Sequence, residues 1–170
     1  MAKIVQKEHK VLREIAKPVD LKAIGSAKFK TMLAEMADAL SKEHDGVALA
    51  APQIGESLRL FIISPMAYEA TKFEGNKKLV FINPIITKRS RDKKLMEEGC
   101  LSVRPLYGKV RRSSRVTIEA YDENSEKFQM DASGLIAQIF QHETDHLDGT
   151  LFIDKAKDIV EMPKRFYEQE

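Results

Sequence analysis

The five residues His142-Glu143-Thr144-Asp145-His146 constrain this chain more than any other stretch. Two histidines at this spacing share a face only on a helix, where positions i and i+4 stand one above the other. Both imidazoles then reach a single metal ion. Glu143, about 100° round the helix from His142, is placed to take a proton from a water at that ion. The flanking pattern agrees. After Gly134, the residues Leu135, Ile139, His142 and His146 fall on one side of a helix that Gly149 stops. The plain alternative is a core helix with two histidines on one face and an exposed Glu143. Against it, two of only 4 histidines in the chain fall at this spacing.

A catalytic site of this type uses three protein ligands and leaves a position for water. Candidates for the third ligand are few. His9 and His44 lie far upstream in polar surroundings, Asp148 and Asp154 follow the helix, and Cys100 is flanked by Gly99 with Ser102 close by. A single cysteine excludes an internal disulfide and leaves a buried thiol, a nucleophile or a metal ligand. A lone Cys is commonly a small core residue. Two histidines, Cys100 and an open fourth position form the arrangement these residues support best.

The remaining pattern predicts mostly strands. Phe29, Met32, Leu33, Met36 and Leu40 mark an amphipathic helix over 29–42 with Ser26 as N-cap. Runs at 58–63, 79–86 and 116–121 read as strands, and Asp122-Glu123-Asn124-Ser125 joins the last to 127–130 in a hairpin. The segment Glu97 to Ser102 reads as strand or loop. A charged C-terminal segment from about residue 154 suggests a further helix, broken or kinked at Pro163. The 170 residues suit one domain, 1–170. With 28 Lys+Arg against 26 Asp+Glu, the charge is too balanced for wholesale coating of nucleic acid or membrane. No run approaches the roughly 18 apolar residues of a spanning helix, and the charged opening residues are not a secretion signal. A cytoplasmic protein is expected.

Three segments in order resemble the motifs of the peptide deformylase family: Gly46-Val47-Ala48-Leu49-Ala50-Ala51-Pro52-Gln53, Glu98-Gly99-Cys100-Leu101-Ser102, and the helix motif above. Val11-Leu12-Arg13 with Ala16-Lys17-Pro18-Val19 is similar to that family's opening segment, so the resemblance covers about residues 9 to 153. It implies an α+β fold, antiparallel sheets around a central helix carrying the two histidines. It implies that Cys100, His142 and His146 hold one divalent metal ion, iron(II) in the cell, with zinc, nickel or cobalt taking its place in preparations. Glu143 would be the general base and acid. Gln53, through its side-chain amide, and Leu101, through its backbone N–H, would donate to the developing oxyanion. Gly46, Val47, Ala48 and Gly99 would meet the substrate, whose backbone adds as a strand. Val47, Leu135 and Ile139 would line a pocket for the methionine side chain, although ordinary core packing explains each of them equally well.

The implied reaction is removal of the N-formyl group from the N-terminal methionine of newly synthesised polypeptides, with metal-bound water attacking the formyl carbon. Implied partners are formyl-Met nascent peptides and the ribosome near its exit tunnel, with neither DNA nor membrane. Two positions depart from the family pattern. Ala48 stands at the second glycine of the first motif, and Arg104 stands where many members carry proline. Glu98 is expected to orient an arginine or the Cys100 loop rather than pair with Glu97 in solvent. Asp145 reads equally as a hydrogen-bond acceptor and as a surface residue. The basic runs 88–94 and 111–115 read as solvated loop and strand edge, with contact to ribosomal RNA as the alternative. Two rivals stand beside the deformylase reading. A metallopeptidase would need a His or acidic third ligand, and a binding protein without turnover is suggested only by Ala48.

Overall fold

The computed structural model describes residues 2–163. The first long helix, α1 (Ala27–Ser41), begins where the sequence places it, with the Ser26 hydroxyl oxygen accepting from the Phe29 amide at 3.2 Å. Its buried face carries Phe29, Met36, Ala39 and Leu40. Then follow β1 (Ala48–Ala50), β2 (Leu60–Ile63), α2 (Pro65–Thr71) and β3 (Val80–Arg89). After these come β4 (Lys93–Gly99), β5 (Leu106–Ser113), β6 (Arg115–Tyr121), β7 (Lys127–Ser133), α3 (Gly134–Leu147) and β8 (Lys157–Glu161). Short α2, only 7 residues long, gives no periodic signal in the sequence. Ser64 caps it through the Met66 amide and Pro65 opens it, a start in which the missing proline N–H costs nothing.

The strands form two antiparallel sheets, β1-β2-β3-β6-β7 and β4-β5-β8. The expected hairpin is present as β6 and β7, paired from Arg115–Ser133 to Tyr121–Lys127. Helix α3 packs against strands of both sheets. Its anchor on the larger sheet is Phe140, fully buried against Phe81 and Phe61, which stack on each other at 4.6 Å. His142 and His146 lie about 200° and 240° round the helix from Phe140. They therefore face the smaller sheet and the Cys100 loop. Core aromatics on one side of α3 thus aim the histidines on the other, and the α+β architecture expected from the resemblance is the one observed.

The C-terminal helix expected from about residue 154 is not formed in the described residues. Residues 157–161 are an exposed edge strand, β8, paired with β5 through Leu106–Glu161, Tyr107–Val160 and Lys109–Lys157. Strand edges offer unpaired backbone groups that outweigh a weak helical pattern. Pro163 closes the described chain, and the rest of that expected helix lies outside the described residues.

Candidate metal centre and active-site cleft

Cys100 follows the last residue of β4, and α3 supplies both histidines. One donor atom from each of Cys100, His142 and His146 lies within 4.8 Å of the other two. The Cys100 Sγ to His146 Nε2 distance is 3.2 Å. His142 turns its Nδ1 to Glu98 Oε2 at 2.9 Å, which leaves Nε2 as the nitrogen it offers the cluster. The neighbours are dry. His146 is 1% exposed, and the ring of fully buried Phe152 stacks 6.3 Å from that of His142.

These residues fit a divalent ion. A thiolate and two imidazoles converge as soft to borderline donors, and a carboxylate orients one imidazole through its far nitrogen. Glu143 Oε2 and His146 Nδ1 are buried with no hydrogen-bond partner among the described residues. A buried polar atom left unpaired is costly in a purely structural helix. Burial pulls His142 down, but its hydrogen bonds with Cys100 and Glu98 outweigh this and raise it, while burial and the charge of His142 push His146 down. Burial also lifts the Glu143 carboxyl to about 7. A carboxyl in that range both accepts and returns a proton at neutral pH.

Glu98 is held by more than His142. Arg112 donates from Nε to Oε1 at 2.6 Å and from Nη2 to Oε2 at 2.9 Å, a bidentate pair with both side chains buried. Its Nη1 reaches Asp145 at 2.6 Å, and Lys155 meets the other oxygen of Asp145 at 2.8 Å. Burial alone would raise the Glu98 carboxyl, yet the Arg112 and His142 hydrogen bonds hold it at about 2. This corrects the reading of 111–115 as a solvated run, because Arg112 is 4% exposed. The missed signal is strand alternation, which puts Arg112 on one face of β5 with buried Gly108 and Val110 once β4 and β5 are recognised as a hairpin.

Gln53 lies beside Cys100. Its Oε1 accepts from the Ala50 amide at 2.8 Å, which fixes its Nε2 toward Ser102 Oγ at 3.2 Å and Cys100 Sγ at 3.5 Å. Leu101 is half-buried beside Cys100, and its carbonyl accepts from Gln6 at 3.2 Å. The centre opens into a cleft of about 390 Å³. Gly46, Val47 and Ala48 form one wall, Glu97 to Leu101 the other, and Leu135, Ile139, His142 and Glu143 the floor. Val47, Leu135 and Ile139 share an apolar cluster with Ala48. Two glycines have local reasons. A Cβ on Gly46 would meet Leu40 Cδ1 at 2.8 Å, and one on Gly99 would meet the Tyr107 ring at 2.3 Å.

The chain matches the Polypeptide deformylase family model over residues 1–162. It is 35% identical over 153 residues to peptide deformylase 2 of Clostridium acetobutylicum, covering 90% of this chain and 93% of that one. It is 42% identical over 156 residues to the peptide deformylase of Fusobacterium nucleatum, with 91% and 82% covered. Among solved structures, the peptide deformylase of Thermotoga maritima superposes with a TM-score of 0.79 at 33% identity, covering 92% of this chain and 98% of that one. That of Synechococcus elongatus, in complex with actinonin, gives 0.78 at 32% identity, with 92% and 79% covered. The chain therefore belongs to the polypeptide deformylase family, metal-dependent hydrolases that remove the N-formyl group from nascent polypeptides.

Proposed function

We propose that Cys100, His142 and His146 hold one divalent ion, iron(II) in the cell, and that Glu143 moves the proton as the formyl group leaves an N-terminal methionine. The observation that carries this reading is the convergence of the three donors within 4.8 Å, beside a cleft that Cys100 and His142 line together with buried Glu143. Bound there, such an ion supplies Lewis acidity, which makes water nucleophilic near neutral pH and polarises the carbonyl under attack.

The chain's own groups do the rest. Glu143 takes the proton of the attacking water and delivers it to the departing amine. Its burial matches it to both steps at neutral pH. Gln53 Nε2, fixed by the Ala50 amide, and the Leu101 N–H donate to the oxygen on which charge develops. The apolar cluster of Val47, Leu135 and Ile139 receives the methionine side chain. Strands β1 and β4 are edge strands of their sheets, and both border the cleft. An extended peptide laid between them, against Gly46, Val47, Ala48 and Gly99, finds backbone partners in β-augmentation.

No helix among the described residues is long and apolar enough to cross a membrane. We assign the protein to the cytoplasm. Lys88, Arg89, Arg91, Lys93 and Lys94 form an exposed basic edge around the turn from β3 to β4, a solvated surface for which ribosomal RNA near the exit tunnel is the alternative partner. The chemical assignment is tested with paired peptides, formyl-Met-Ala-Ser and acetyl-Met-Ala-Ser. Release of formate alone, with the Met-Ala bond intact, supports a deformylase. Cleavage at Met-Ala would make the protein a peptidase.

A further inference from the structure

We propose that Arg104, with Glu43 and Asp45, sets the charge preference for the residues following the N-terminal methionine, an inference that rests on the deformylase reading of the cleft. Arg104 lies on the connection from β4 to β5, just beyond Cys100 and Leu101. Its Nη1 is 2.7 Å from Glu43 Oε2, and its Nη2 donates to Asp45 Oδ1. Both acids lie on the connection from α1 to β1, directly before Gly46. One guanidinium thus ties the wall that carries Cys100 to the wall that carries Gly46. The tie is only partly buried, with Arg104 at 18%, Glu43 at 26% and Asp45 at 30% side-chain exposure.

The position of this cluster gives it a role in recognition. The metal centre lies among buried groups, and the methionine pocket is apolar. A chain bound at both continues toward solvent along a cleft lined by Arg104, Asp45 and Glu97. Charges held there, beside low-dielectric protein, act on a passing side chain more strongly than they would in free water. Arg104 therefore repels a basic residue and attracts an acidic one, while Glu43 and Asp45 do the reverse. The balance depends on all three being present. They are specificity-determining residues, remote from the reacting atoms.

The test uses metal-loaded full-length enzyme and three peptides: formyl-Met-Ala-Ser, formyl-Met-Lys-Ser and formyl-Met-Glu-Ser. Arg104→Ala should raise the Lys-to-Glu ratio of kcat/KM by about three- to ten-fold. Glu43→Gln and Asp45→Asn should each lower it by a similar factor. The changes should sit in KM rather than kcat and shrink in about 0.5 M salt. Arg104→Lys keeps the charge without the fork and should leave the ratio near its starting value, so it separates charge from folding damage. A uniform loss on all three peptides, with the ratio unmoved in every variant, would overturn the inference and leave a purely structural tie. Failure of the unaltered enzyme to act on formyl-Met-Ala-Ser would instead remove the deformylase reading on which it rests.

Discussion

Glu98 Oε2 lies 2.9 Å from Nδ1 of His142, and the same carboxylate takes two hydrogen bonds from Arg112. The chain of contacts runs on from Arg112 to Asp145, which sits between the two histidines on α3. A loop of charge therefore closes through β4, β5 and α3, and it fixes the ring of one ligand from behind. Partners of this kind typically change metal affinity 10- to 100-fold when removed. Removing one member of a buried pair also costs about 3 to 5 kcal/mol, because the other charge stays buried. Glu98→Gln should weaken metal binding within that range in a chelator competition and lower the melting temperature. Unchanged affinity would mean that His142 is oriented without Glu98.

Glu143→Gln preserves shape and removes the proton carrier. It should keep stoichiometric metal and lose turnover by about 10²- to 10⁴-fold. Metal analysis beside the kinetics checks both halves. Ordinary turnover in this variant would rule out Glu143 as the base.

Cys100→Ala removes the only thiolate and leaves two imidazoles. Metal content after dialysis should fall far below one ion per chain, with the fold retained by circular dichroism. Full occupancy at ordinary concentrations would place the third ligand elsewhere.

Away from the site, Asp122 is buried in the β6–β7 turn and is held by Lys78 Nζ at 2.6 Å and by the amides of Asn124 and Glu126. Burial alone would raise its carboxyl, but these hydrogen bonds, that of Lys78 first, outweigh it and lower the pKa. The contribution to stability is therefore complete above the ordinary aspartate value of about 3.9 and fades as pH falls toward the lower folded value. Asp122→Ala should cost about 1 to 3 kcal/mol at neutral pH. Denaturation curves should also show the gap to the unaltered protein narrowing below about pH 4. A gap independent of pH would assign the cost to packing.

Much of the site was legible because its signals are local. The histidine spacing, the Ser26 cap and the residues flanking Cys100 each rest on a few neighbours along the chain. Gln53 came only through the resemblance, since nothing local says that the Ala50 amide will fix its side chain. Arg112 was misread because its partners, Glu98 and Asp145, are distant in sequence and meet it only when β4, β5 and α3 assemble. Arg104 was singled out, but its pairing with Glu43 and Asp45 depends on two connections closing over one cleft. The tail was misread because β8 exists through the open edge of β5 and has no pattern of its own strong enough to announce a strand. Contacts made in tertiary assembly, rather than propensity, account for each of these differences.

The most direct test of the central claim is formate release from formyl-Met-Ala-Ser by protein reconstituted anaerobically with iron(II) or nickel(II), beside the Glu143→Gln variant and a chelated control. The account predicts release that requires metal and collapses in the variant. Fully metallated, folded protein that releases no formate would contradict it.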